Sequence, residues 1–290
     1  MRKIFLTLSV ICLCVFLRAQ NHFDVLHYRY HINLNDNNDT LRGMTEITGV
    51  ATDDISELQL DLAGVKKDRG MTVTSVGFGL LSSVGPPEYS HRNDKVIFKL
   101  GRHYKKGETI QLHLSYKGIP DDGLIISKNK YGDRTFFADN WPDRAHHWIP
   151  CVDRPDDKAT FEFFVIAPSH YSVVSNGTKI EEKLLSDGNK WTHWKEDTAL
   201  PTKVMVIGVA RFAVRTYKDS PPGIPVSAWV YQQDSIPGFR NYAVAPSILK
   251  FLSDYIGPYP YEKLANVQSK TIFGGMENAS AIFYEELSAS

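Results

Sequence analysis

The sequence predicts a mainly β protein: an all-β N-terminal domain followed by the start of a β-α-β unit. Three observations carry this. From residue 27 apolar and polar residues alternate with a period of two, the signature of half-buried strands. Nothing before residue 235 has a helical period. The first amphipathic stripe comes only after Ser220-Pro221-Pro222-Gly223, where the pattern changes.

Tyr28, Tyr30, Ile32 and Leu34 open the alternation, and Asn35 to Asp39 forms an Asn/Asp turn cluster. Leu58, Leu60 and Leu62 alternate next. Val96-Ile97-Phe98 leads through the turn Lys105-Lys106-Gly107 to Ile110, Leu112, Leu114 and Tyr116. Phe161, Phe163 and Val165 follow, then a longer strand-like stretch from Val204 to Val214. These many short strands place residues 20–213 in one β domain. Val226 to Tyr231 reads as a strand of a second unit, 214–290. Ile248, Phe251, Leu252, Tyr255 and Ile256 then fall at i, i+3, i+4, i+7 and i+8, the stripe of an amphipathic helix. Gly257-Pro258 ends that helix, and Pro246 sits in its first turn or kinks a helix that starts earlier. A strand around Val267 comes next.

The 290 residues are 42% hydrophobic and 23% charged, which excludes a disordered chain. Formal net charge is zero, so no concentrated basic face points to nucleic acid. Three of the 33 basic residues, Arg2, Lys3 and Arg18, lie in the first nineteen, which hold no acid. Ile4 to Leu17 is an apolar run, and Ala19 offers a cut ahead of Gln20. Residues 1–19 thus read as a signal peptide, and the run falls short of the ~20 residues that span a bilayer. The chain is expected to be exported, whether periplasmic, secreted or surface-held, with no membrane span after cleavage. Cys12 and Cys14 lie in that leader. Cys151 alone remains, so no internal disulfide forms, and it reads as a small buried hydrophobe rather than a nucleophile.

Gly274-Gly275-Met276-Glu277-Asn278 is the informative stretch. Two glycines let another backbone come close and admit dihedrals that other residues avoid. An acid directly after them can pair with a cation in a confined pocket, and a peptide's α-ammonium is the obvious one. The pentapeptide resembles the Gly-x-Met-Glu-Asn motif of the aminopeptidase N family of zinc metallopeptidases (gluzincin aminopeptidases). Ile149-Pro150-Cys151-Val152-Asp153-Arg154-Pro155, with Lys158-Ala159-Thr160-Phe161, is similar to the family's Pro-Cys-x-Asp-x-Pro and Lys-Ala-Thr-Phe segments. Gly257-Pro258-Tyr259-Pro260-Tyr261-Glu262-Lys263-Leu264 resembles its Gly-x-Tyr-Pro-x-x-Lys-Leu. The resemblance covers nearly everything after residue 21. It implies a saddle-like all-β domain followed by a thermolysin-like catalytic domain, and peptide substrates with a free N-terminus. Glu277 would bind the substrate ammonium, Gly274 and Gly275 would line the peptide, and Met276 and Asn278 would shape the motif.

The sequence departs from the family at three places. Many members carry Gln where this chain has Trp141, whose ring either holds an ammonium by a cation–π contact or merely packs. Ala265 stands where some members have Asp. The family's zinc ligands, two His of His-Glu-x-x-His and a later Glu, have no counterpart before Ser290, so zinc is expected in the full-length enzyme with no ligands within this chain. His146-His147 cannot replace them, since adjacent side chains do not converge as i and i+4 do. Three Asn-x-Ser/Thr sequons, at Asn38, Asn176 and Asn278, read as coincidental, because a glycan on Asn278 would block the amine site.

The leading expectation is therefore the N-terminal part of an aminopeptidase, truncated before its zinc motif, which contributes amine recognition and is inactive alone. A non-catalytic peptide- or partner-binding β module is the alternative. An adhesin-like sandwich would leave the glycine-rich stretch unexplained.

Overall fold

The computed structural model describes residues 22–79 and 85–290; the signal-peptide reading lies outside them. In chain order the strands are β1 (Phe23–Asn33), β2 (Leu41–Ala51), β3 (Ile55–Asp61), β4 (Gly70–Phe78), β5 (Glu88–Arg92), β6 (Lys95–Tyr104), β7 (Thr109–Ile119), β8 (Leu124–Lys128) and β9 (Arg134–Ala138). Then come β10 (Lys158–Pro168), β11 (Ser172–Ser175), β12 (Thr178–Leu184), β13 (Asn189–Pro201), β14 (Ile207–Ala210), β15 (Phe212–Thr216) and β16 (Val226–Tyr231). Helices α1 (Ser235–Asn241) and α2 (Ala245–Tyr255) precede β17 (Leu264–Gln268), β18 (Gly275–Met276) and β19 (Ala281–Tyr284).

A seven-stranded sheet, β12-β13-β10-β1-β2-β7-β4, forms the body. The alternation read in β1 points Tyr28, Tyr30 and Ile32 inward, each at most 1% exposed. Between them His27, Arg29 and His31 face outward, where Arg29 pairs with Glu46 and Glu162 of the strands on either side. β1 lies antiparallel to β2, its neighbour in sequence, but parallel to β10, whose partners are more than 130 residues away. That pairing brings Phe163 onto Tyr30, ring centres 5.1 Å apart, and Trp148 stacks on Phe163 at 5.9 Å. The aromatic column seals the sheet's inner face. A four-stranded sheet, β11-β14-β9-β8, and a three-stranded one, β3-β6-β5, complete the β domain.

The stretch expected to be one strand from Val204 to Val214 is broken: a 3₁₀ turn at Thr202–Val204, then β14, then β15. β14 belongs to the β domain, whereas β15 opens a five-stranded sheet, β15-β16-β17-β19-β18. The change of sheet thus falls at Phe212, beside the boundary expected at 214. β16 and β17 run parallel with the helices between them, the expected β-α-β unit. Both strands are buried on both faces, as parallel strands are. Trp229 and Tyr231 pack toward the β domain, while Val226, Ala228 and Val230 pack under Phe239, Ala245 and Leu249 of the helices. Among the described residues no helix is long and apolar enough to cross a membrane.

The apolar stripe of α2 departs from expectation. Ala245 and Leu249 meet the sheet, but Phe251, Tyr255 and Ile256 are 64%, 81% and 78% exposed. The helix sits on the sheet by the flank of its stripe, and Pro246 lies in its first turn.

Cys151 is fully buried beside Tyr28, and its segment is pinned by paired backbone bonds to Asp61. Burial pushes the thiol well above its ordinary range, so it is no nucleophile. In the chain from Gln20 onward, a thiol reagent is expected to label Cys151 only after denaturant is added; rapid labelling of the native protein would contradict its burial. Phe163→Ala is expected to cost about 3–5 kcal/mol in chemical denaturation, since it empties the centre of the column.

Candidate functional site

The glycine-rich motif lies on β18 and the turn after it, at the edge of the five-stranded sheet. β18 pairs antiparallel with β19, Gly275 opposite Tyr284 and Met276 opposite Phe283. Strand alternation then distributes the motif. Met276 and Asn278 turn inward, 6% and 2% exposed, and Met276 joins the core against Phe283. Gly275 and Glu277 turn outward. A side chain added at Gly274 would meet nothing within 4 Å, and at Gly275 the nearest atom is a Tyr284 ring carbon at 3.7 Å. Neither glycine has a left-handed φ. Neither an unusual dihedral nor a close neighbour within the described residues requires glycine here, so the outer face of β18 is open.

Glu277 is exposed on that edge and not enclosed in a confined pocket. An ion pair at such a site contributes only ~0–1 kcal/mol, so selective capture of an amine depends on something closing over it. Both polar atoms of the Asn278 side chain are buried without a partner among the described residues, and its carbonyl accepts from the Ala281 N–H at 3.1 Å.

Two groups of β-domain residues hold the motif at its ends. At the front, Asp139 is 1% exposed and pairs with Arg144 at 2.7 Å. Its second carboxylate oxygen accepts from Thr271 Oγ1 at 3.0 Å. Trp141 meets Phe273 edge-on, ring centres 5.6 Å apart, which is the packing reading of this residue. Its ring remains 43% exposed and available to a ligand. At the back, Asn176 Nδ2 donates to the Ala279 carbonyl at 2.5 Å and the Gly177 N–H donates to Ser280 Oγ at 2.8 Å. Lys263 Nζ joins the Ser175 carbonyl, at 2.8 Å, to the Ser280 carbonyl, at 2.9 Å.

Sequence reasoning missed Asp139 and the Asn176–Ala279 contact, which no spacing betrays. Lys263 was in view inside Gly-x-Tyr-Pro-x-x-Lys-Leu, but only as a family mark. The other singled-out residues have structural places. His146 Nδ1 lies 2.7 Å from Asp153 and His147 Nδ1 lies 2.7 Å from Asp121, each ring turned to its own carboxylate. Ala265 is fully buried between β16 and β19. Asn176 and Asn278 are buried and cannot carry a glycan in the folded chain, whereas Asn38 lies on an exposed turn. Among the described residues no cluster of three or more His, Cys, Asp or Glu could hold a metal ion, so the donor set a zinc peptidase needs does not fit what is present here.

Comparison with known proteins agrees with this architecture. Residues 24–204 match the Peptidase M1 N-terminal domain family. Mouse glutamyl aminopeptidase is 28% identical over 186 residues, 61% of this chain and 19% of that protein. The tricorn protease-interacting factor F2 of Thermoplasma acidophilum is 25% identical over 241 residues, 80% of this chain and 29% of that one. The chain thus spans well under half the length of these relatives. The crystal structure of an M1 zinc metallopeptidase from Deinococcus radiodurans shares the fold, with a TM-score of 0.74 at 24% identity over 91% of this chain and 60% of that one. With the matched domain making up most of its length, this chain belongs to the M1 peptidase family.

Proposed function

We propose that this chain supplies the substrate-amine recognition of a peptide-cleaving M1 aminopeptidase, with Glu277 pairing with the α-ammonium of a peptide and the edge of β18 receiving its backbone. One observation carries the reading: strand alternation presents Gly275 and Glu277 on the same outward face of a strand that is the edge of its sheet among the described residues, with open space above Gly274 and only the Tyr284 ring beside Gly275. An extended peptide can add to such an edge through main-chain hydrogen bonds. A carboxylate one step further along then counts residues from the free amine, and an acylated end offers it no charge. Trp141, packed edge-on against Phe273, would offer apolar surface to the bound peptide.

No metal-dependent step is assigned to the described residues. Zinc belongs to the family's chemistry, and the chain's own contribution is to bind and orient the peptide end. We also place the chain outside the cytoplasm, on the strength of Arg2-Lys3 and the apolar run Ile4 to Leu17.

A tripeptide with a free amino end is expected to shift the amide NMR signals of residues 274–277, and its N-acetylated form is not. Glu277→Gln should erase the difference, about a two- to fivefold loss of affinity given the exposure of the site. Equal binding of both peptides by the unmodified chain would refute the proposal. The 290-residue chain alone is expected to show no hydrolysis of an amino-acid anilide with added zinc; turnover that a chelator abolishes would overturn this.

A further inference from the structure

The chain has one Asn-Gly pair, Asn176-Gly177, and the fold sets it against the turn that follows Glu277. Glycine is compulsory there. Gly177 holds a left-handed φ of 68°, and a side chain on it would stand 1.9 Å from the Lys195 carbonyl oxygen. Asn-Gly is also the pair most prone to lose its side-chain amide, because glycine has no side chain to hinder its nitrogen from attacking the Asn carbonyl carbon.

The groups that this reaction needs are all engaged in the folded chain. Asn176 is fully buried. Its Oδ1 accepts the Val206 N–H at 2.8 Å, and its Nδ2 donates to the Val204 carbonyl at 2.9 Å and to the Ala279 carbonyl at 2.5 Å. The nitrogen of Gly177 would be the attacking atom, and its N–H donates to Ser280 Oγ at 2.8 Å. Gly177 is buried as well. The bonds to Val204 and Val206 stay within the β domain. Those to Ala279 and Ser280 come from the second unit, in the turn that joins β18 to β19.

We propose that Asn176 is a latent deamidation site, shielded by the seated motif turn and opened to reaction when Ala279 and Ser280 withdraw. The step involves no redox change. The Gly177 nitrogen gives its proton to solvent base and bonds to Asn176 Cγ. The Cγ–Nδ2 bond breaks, and the amide nitrogen takes up a proton and leaves as ammonia. Water then opens the resulting succinimide ring at either carbonyl. One opening leaves Asp at position 176, and the other leaves isoaspartate, with the main chain running through the former side chain.

Either product bars the turn from its seat. A carboxylate has no N–H for the Val204 and Ala279 carbonyls and sets a buried charge against both. Isoaspartate also lengthens the backbone where Gly177 already stands against Lys195. The site is therefore a one-way lock: a seated turn preserves the amide, and a turn that stays away long enough is kept from returning. This holds whatever Glu277 binds.

The 290-residue chain, held at mildly alkaline pH and mapped by peptide mass spectrometry, tests this. Asn176 is expected to convert readily in urea and to persist in native buffer. Ser280→Ala removes the acceptor of the Gly177 N–H, so its conversion in native buffer should rise about two- to tenfold, the contribution of one hydrogen bond to a local opening. Circular dichroism on the same sample checks that the chain stays folded. In the converted chain, and in Asn176→Asp, amide exchange of residues 277–280 should quicken. Conversion of the native unmodified chain as fast as in urea overturns the proposal, as does a Ser280→Ala rate no higher than the unmodified one. A converted chain with unchanged exchange at 277–280 overturns it too. If Asn176→Asp does not fold, the Ser280→Ala rates decide. None of these readouts uses a peptide ligand, so they fail separately from the reading of Glu277.

Discussion

The motif that presents Glu277 depends on being gripped from outside itself. β18 contributes two residues to one edge of a sheet, far too little to fix a side chain to the tolerance recognition requires. Its register comes from Met276, which is anchored in the core against Phe283. Its ends are fastened to the β domain, by Asp139 to Thr271 in front and by Asn176 and Gly177 to Ala279 and Ser280 behind, where Lys263 also reaches the Ser175 carbonyl. Without the β domain those bonds would have no second partner. The large N-terminal sheet system is thus the frame against which a few residues of the second unit are held.

The frame is rigid because its core does not stop at the change of sheet. One continuous apolar cluster runs from the tyrosines of β1 to Trp229, Val267, Met276 and Phe283. Phe137 of β9 touches both Phe212 and Phe283, at 6.0 and 5.7 Å. Polar contacts reinforce the seam: Asp234, only 3% exposed, takes Lys130 and Tyr131 from the β domain and Gln268 from β17. Removing Lys130 would leave the buried Asp234 carboxylate uncompensated.

The helical side of the second unit contrasts with this. The mixed five-stranded sheet is covered on one face by the β domain and on the other only in part, by α1 and one flank of α2. An apolar groove of about 350 Å³ remains open between α2 and the sheet, lined by Ile248, Leu252, Ile256, Tyr259 and Ile282. The stripe of α2 was legible as periodicity. Which part of it would be covered was not, because periodicity reports the apolar face of a helix and not the neighbour that meets it.

The sequence by itself determined the β character, the alternating faces of β1 and β10, the β-α-β crossover, the burial of Cys151 and the motif that holds Glu277. All follow from local periodicity or a contiguous run of residues. Tertiary structure alone decided that β1 pairs parallel with β10, that Val204 to Val214 splits between two sheets, that Glu277 stands exposed on an edge, and that Asp139 and Lys263 hold the strand bearing it. Each of those rests on contacts between residues distant in the chain, and no local pattern encodes which distant partner a backbone edge or a buried polar group will find.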